Sequence, residues 1–182
     1  MTFKDTPHQY GALQRHSAPK RLRVILMNPA LGSGAISRGR VELAAAILGY
    51  QSAEICNLFS LPSRSTSELS HLAQDWEGWD ASRPALSGIL AGDDRLLLAW
   101  GVGEPSGNAR KHMRAQVRWV VQTALNNGRS DCWMVGGAPR HPSRWHRYVS
   151  DKYGRTSGGS LEQRLRQTIS CHPLAGMQSP LA

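Results

Sequence analysis

The stretch Arg95-Leu96-Leu97-Leu98-Ala99-Trp100-Gly101 decides the fold of this 182-residue chain. Its apolar run is continuous but short, which is typical of a strand that is buried on both faces of a parallel sheet. Three other segments resemble it and predict further strands, at residues 23–27, 53–56 and 132–135. Each of the four runs into a stretch that contains glycine, proline or asparagine, so each predicted strand ends in a loop.

Helical patterns separate these strands. The clearest covers residues 109–126, where apolar residues recur on one side; shorter ones are predicted at 37–48, 65–74, 84–90 and 161–169. Residues 76–80 contain two tryptophans, and we expect them to pack on the core as a lid. The alternation predicts a three-layer α/β/α fold with a four-stranded, mostly parallel sheet. We predict one domain over residues 21–170, an N-terminal arm over 1–20 and a C-terminal tail over 171–182.

Composition narrows the class of protein. The chain is 40% hydrophobic and 19% charged, as expected of a soluble globular protein. No apolar run approaches the roughly 20 residues that span a bilayer, and no secretion signal is evident, so we expect a cytoplasmic protein without a membrane partner. The net charge of +9, from 22 basic and 13 acidic residues, favours a nucleic-acid partner, and we expect DNA rather than RNA.

Neither a metal nor a cofactor is predicted. The three cysteines, Cys56, Cys132 and Cys171, are far apart and show no Cys/His spacing of a zinc site. Cys56 and Cys132 fall in predicted strands, where free cysteine behaves as a small hydrophobic residue. The odd number fits a reducing compartment.

Polar residues follow three of the four strands. Asn28 and Pro29 end the first, Asn57 ends the second, and His141 follows the fourth within Arg140-His141-Pro142-Ser143-Arg144-Trp145. The carboxyl ends of parallel strands meet at one sheet edge, where ligands bind in such folds. Histidine there can donate a hydrogen bond or carry a proton near neutral pH.

Basic residues accompany these loops. We predict that a cationic set contacts a nucleic-acid backbone, consisting of Arg110, Lys111, Arg114, Arg140, Arg144 and Arg147. Aromatic residues, including Trp145, are interleaved with the basic residues after Gly137, as on surfaces that bind nucleic acid. A solvated basic face explains the same pattern equally well.

Four short motifs in this order resemble a bacterial and phage family known as domain-of-unknown-function family 1643. They are Met27-Asn28-Pro29-Ala30, Asn57-Leu58-Phe59, Ala99-Trp100-Gly101 and Pro139-Arg140-His141-Pro142. The likeness runs from about residue 22 to residue 146. That family implies no established activity.

The layout is also similar, more distantly, to the uracil-DNA glycosylase superfamily. That resemblance implies a hydrolase that breaks the N-glycosidic bond of a flipped base in DNA repair. It would place Asn28 at the attacking water, Asn57 on the base edge and His141 on the departing base. Phe59 and Pro29 would complete the base-binding site. A wedge residue would stand at Arg144 or Trp145.

Two alternatives remain. The first is a non-catalytic module, such as a regulator or inhibitor from a mobile element, that keeps the fold and binds nucleic acid or a protein partner. Asn28 favours this module, because an amide, unlike a carboxylate, cannot act as a base. The absence of the aromatic side chain on which the base usually rests in the glycosylase superfamily favours it too. The second is a hydrolase or transferase acting on a nucleotide held by the glycine loops 32–34 and 101–107, which lack the lysine of a Walker loop.

Overall fold

The computed structural model describes residues 21–92, 94–148 and 159–178. The predicted arm over residues 1–20 lies outside them, as do residues 179–182 of the predicted tail. The described strands are β1 (Arg21–Leu26), β2 (Ser52–Asn57), β3 (Leu96–Leu98), β4 (Asp131–Val135) and β5 (Ile169–Pro173). The helices are α1 (Ala35–Ile47), α2 (Thr66–Leu72), α3 (Glu77–Asp80), α4 (Arg83–Ala91), α5 (Gly107–Asn126), α6 (Trp145–Tyr148) and α7 (Leu161–Thr168). Short 3-10 helices lie at Pro142–Arg144 and Ala175–Gln178.

One sheet forms the centre, in the order β2-β1-β3-β4-β5. The first four strands are parallel to one another, and β5 runs antiparallel to β4. The α/β class and the mostly parallel sheet are therefore confirmed, whereas the predicted count of four strands is wrong. The sequence pattern instead predicts a helix that ends at Ile169 and a tail that begins at Cys171. Only Ile169 in this edge strand is buried, so its sequence carries little apolar signal.

Successive residues of the central strands point to opposite faces of the sheet. Ile25, Leu96 and Leu98 enter a core with α2, α3, α4 and α5, whereas Val24 and Leu97 enter a second core with α1 and α7. Helices therefore cover both faces, as the continuous apolar runs require. No helix in the described ranges is long and apolar enough to cross a membrane.

The predicted lid is part of the first core. Trp79 of α3 is fully buried and packs against Phe59, with 4.9 Å between ring centroids. Beneath it, the buried Gln116 amide of α5 donates hydrogen bonds to the carbonyl oxygens of Leu58 (3.2 Å) and Trp79 (2.8 Å). Strand β2 ends at Asn57, and these contacts hold the segment that follows it against the long helix α5.

Candidate active site

A cleft of about 1340 Å³ opens at the carboxyl ends of the parallel strands. It is lined by Asn28 and Pro29 after β1, by Asn57 at the end of β2, by Gly101 after β3 and by His141 after β4. The strands β1 and β3 are neighbours in this sheet, but the chain after β1 leads to α1 on one face and the chain after β3 leads to α5 on the other, so a crevice forms where the two connections diverge. The sheet order thus brings together the predicted site residues Asn28, Pro29, Asn57 and His141.

Asn28 is held by the loop that precedes α2. Its Nδ2 donates hydrogen bonds to the Pro29 carbonyl oxygen at 2.9 Å and to the Ser63 carbonyl oxygen at 3.3 Å. Both amide hydrogens are engaged in this way, so Oδ1 is the atom available to accept a hydrogen bond from a water or a ligand hydroxyl. An amide cannot take up a proton at neutral pH, so Asn28 can orient a water but cannot deprotonate it.

Asn57 carries an unsatisfied acceptor. Its Oδ1 is buried and accepts no hydrogen bond from any residue in the described part of the chain, although the residue itself lines the cleft. An unpaired buried acceptor costs roughly 1–3 kcal/mol. Rotation of this amide toward a ligand that offers an N–H group would remove that cost, so Asn57 is suited to read a polar edge.

His141 is fixed in one orientation by its own loop. Its Nδ1 lies 2.9 Å from the Ser143 hydroxyl and accepts a hydrogen bond from the Ser143 backbone N–H at 3.3 Å. A ring nitrogen that accepts from a backbone N–H carries no proton, so the proton of the neutral ring is on Nε2. Burial, helped by the nearby charge of Arg144, lowers the pKa of His141 and favours this neutral form.

Two side chains hold the His141 loop by hydrogen bonds, and a glycine leaves space for it. Trp145 Nε1 donates to the Arg140 carbonyl oxygen at 2.7 Å, and Arg40 of α1 donates to the Pro142 carbonyl oxygen at 2.7 Å. Gly101, at φ +104, leaves room for the loop: a Cβ there would lie 3.6 Å from the His141 Cβ. Sequence reasoning missed Arg40, because no local pattern connects α1 with a loop about 100 residues later.

Two predicted site residues lie elsewhere. Phe59 is fully buried beside Trp79 in the core and does not line the cleft, so the predicted aromatic contact with a base is corrected. Trp145 is also fully buried, between the sheet and α1, because its indole anchors the His141 loop. A wedge must project from the surface, so the structure argues against that role for Trp145, whereas Arg144 is exposed at the cleft.

The predicted cationic set divides into two groups. Arg140, Arg144 and Arg147 line the cleft, whereas Arg110, Lys111 and Arg114 are not among the described residues that form its walls. Arg114 instead forms a paired contact with Glu104, at 2.7 and 2.9 Å, and this hydrogen bonding lowers the pKa of the Glu104 carboxyl. Glu104, in the loop between β3 and α5, thus partly neutralises the positive charge at the start of α5.

Two arginines of the cleft escaped the sequence analysis. Arg38 lies in the first turn of α1, and Arg64 directly precedes α2. Both come soon after the carboxyl end of a parallel strand, and this position in the sequence could have indicated that they lie at the cleft. The described cleft lining therefore contains five arginines and two glutamates, Glu42 and Glu54, so its potential is positive. Within the described ranges, no group of three or more His, Cys, Asp or Glu residues is placed to hold a metal ion.

The molecule is thus an α/β protein with a basic cleft at the carboxyl edge of its parallel strands. A family model described as protein of unknown function (DUF1643) matches residues 12–143, more than half of the chain, and the protein belongs to that family. The resemblance drawn from the four motifs is confirmed. No curated protein and no solved structure gives a significant match.

Proposed function

We propose that this protein binds nucleic acid in the basic cleft and hydrolyses the N-glycosidic bond of a base that has left the stack, as in a fold and site of the uracil-DNA glycosylase type. The observation that carries the proposal is the meeting of Asn28, Asn57 and His141 on a cleft lined by five arginines. DNA is the substrate that we infer. The cleft exceeds the roughly 300–1,000 Å³ typical of small-molecule sites, which favours a polymer over a free nucleotide.

Each residue has a role that follows from its contacts. The bond between C1′ of the sugar and the base nitrogen breaks, and its electron pair leaves with the base as negative charge. Neutral His141 would donate from Nε2 to the oxygen on which this charge develops. A water that is oriented by a hydrogen bond to Asn28 Oδ1 would add to C1′ and release a proton to solvent. Asn57 would accept from an N–H group on the base edge.

Base release tests this proposal directly. Single-stranded and duplex oligonucleotides carrying uracil or hypoxanthine are incubated with the wild type and with His141→Ala, and abasic sites are then cleaved with alkali. We expect the variant to release base 10²–10³-fold more slowly, the range found when a charge-stabilising donor is removed. His71→Ala is the matched control, because His71 is an exposed histidine of α2 that does not line the cleft. No release by the wild type on any oligonucleotide would refute the hydrolysis.

A second candidate, a binding module without catalysis, has its own support. Phe59 is buried in the core, and an amide stands where a carboxylate would activate water. This module would bind oligonucleotides with an affinity that falls steeply with salt, by a slope of about −0.7 per phosphate contacted on a single strand. Binding with that slope but without base release would favour the module. An affinity that does not change with salt would refute both readings.

A further inference from the structure

Two exposed apolar side chains lie in the lining of the basic cleft. In the described part of the chain, five large hydrophobic residues are strongly exposed: Leu31, Ile36, Leu61, Leu72 and Val102. Leu31 and Val102, at 50% and 54% exposure, line the cleft itself. Ile36 and Leu61 lie within two residues of lining positions, whereas Leu72 is at the far end of α2. We name Leu31 and Val102 the apolar rim.

The rim residues come from two loops on neighbouring strands. Leu31 belongs to the loop between β1 and α1, and Val102 to the loop between β3 and α5. Because β1 and β3 are adjacent, both loops leave the same part of the sheet edge, next to Asn28 and Gly101. Leu31 and Val102 are thus exposed apolar side chains in the lining of the same cleft as the five arginines.

We propose that the apolar rim contacts the faces of unstacked bases, and that the substrate is therefore an unpaired strand rather than an intact duplex. This inference rests on the proposed function and specifies its substrate. Charge complementarity identifies the occupant: arginines on both sides of the cleft suit phosphates, while apolar side chains suit the flat faces of bases. Bases in a duplex cover one another, so their faces become available to the rim only in an unpaired strand.

The cost of extracting a base leads to the same occupant. Unstacking and unpairing cost a few kcal/mol in a duplex and least where the strand is already single. A side chain that replaces the extracted base would offset that cost. Trp145 is buried and holds the loop, so of the two wedge candidates only Arg144, which is exposed at the cleft, could do so in a duplex. An unpaired strand needs no such replacement.

The test measures the binding of fluorescent oligonucleotides by anisotropy at one salt concentration. The probes are a single strand, the duplex of the same sequence, and a single strand whose central nucleotides lack bases. We expect the wild type to bind the single strand at least tenfold more tightly than the duplex. Leu31→Ser should weaken binding to the intact single strand about fivefold but leave binding to the abasic strand unchanged, because the phosphates are the same.

Leu72→Ser is the matched control, since Leu72 is similarly exposed but does not line the cleft. The inference is overturned if Leu31→Ser binds the intact strand as Leu72→Ser does, if it weakens both single strands equally, or if the duplex binds as tightly as the single strand. Failure of the proposed hydrolysis is seen separately, as this binding pattern without base release by the wild type.

Discussion

Replacing Gly78 with alanine tests whether Phe59 is a core residue. A Cβ built at Gly78 would lie 2.7 Å from Phe59 Cζ and closer still to Cε2, well inside the ordinary contact distance of 3.4–4 Å. The Phe59 ring is fully buried and packs on Trp79, so it cannot swing into solvent. Overpacking of this kind costs about 1–3 kcal/mol. The closeness of this overlap places the variant at the upper end of that range, and alanine in a helix recovers up to about 1 kcal/mol relative to glycine, so we expect a net loss of roughly 2 kcal/mol.

Gly88→Ala supplies the control for helix propensity. Gly88 lies inside α4, and a Cβ there would have no heavy atom within 4 Å, so this variant should gain about 0.5–1 kcal/mol. Equilibrium urea unfolding followed by tryptophan fluorescence measures both variants against the wild type. Adding Phe59→Leu to Gly78→Ala should cost less than the sum of the two single changes, because the smaller side chain relieves the clash. A Gly78→Ala protein as stable as the wild type would refute the packing described for Phe59.

Three other measurements examine different parts of the molecule. Gln116→Leu keeps the side-chain volume but removes one of the two donors, Gln116 and Ser82, that each of two buried carbonyl oxygens has, so unfolding free energy should fall by about 1–3 kcal/mol in urea titrations; a loss below about 0.5 kcal/mol would contradict the network. Burial lowers the pKa of His141, so the unfolded chain binds more protons than the folded one below pH 6.5, and stability should fall as pH decreases from about 6.5. The His141→Gln variant should lose less stability over this pH range. A pH profile of stability identical to that of the wild type would show that His141 does not cause the fall. Burial raises the pKa of Cys132 to about 12, so a thiol reagent at pH 8 should modify exposed Cys171 first and Cys132 only after unfolding, as mass spectrometry of digested protein would show.

Strands β1, β3 and β4 could be predicted because each contains an uninterrupted apolar run, as burial on both faces of the sheet requires. Strand β2 reads Ser-Ala-Glu-Ile-Cys-Asn with only Cys56 buried, and its prediction rested on the short segment 53–56 and the Asn57 loop that follows. The fifth strand could not be predicted. Ile-Ser-Cys-His-Pro at 169–173 contains one buried residue, and its pairing with β4 depends on backbone hydrogen bonds that any sequence can form. The helix predicted from Ser65 does begin there: the Ser65 hydroxyl accepts from the Glu68 backbone N–H at 3.1 Å, while the Glu68 carboxylate accepts from the Arg64 backbone N–H. Local signals of this kind survive because they do not depend on distant residues.

The candidate site shows the same division. Asn28, Asn57 and His141 could be grouped because the ends of parallel strands must meet, whatever the helices do. Phe59 was misplaced because it follows Asn57 by only two residues, and the sequence does not show which way the chain turns after a strand. It turns into the core, where Gly78 leaves room for the ring and Ser82 donates to the Leu58 carbonyl oxygen.

The burial of Trp145 connects the fold to the chemistry. This side chain belongs to the second core with α1, and α1 also supplies Arg40 to the Pro142 carbonyl oxygen. The loop that carries His141 is thus fastened to the sheet and to α1 at once, so the imidazole is oriented before any ligand arrives. Preorganised donors of this kind stabilise developing charge without reorganisation during the reaction. An aromatic residue used in this way cannot also enter a duplex. The support that makes His141 a suitable donor therefore leaves Arg144, which is exposed at the cleft, as the remaining wedge candidate.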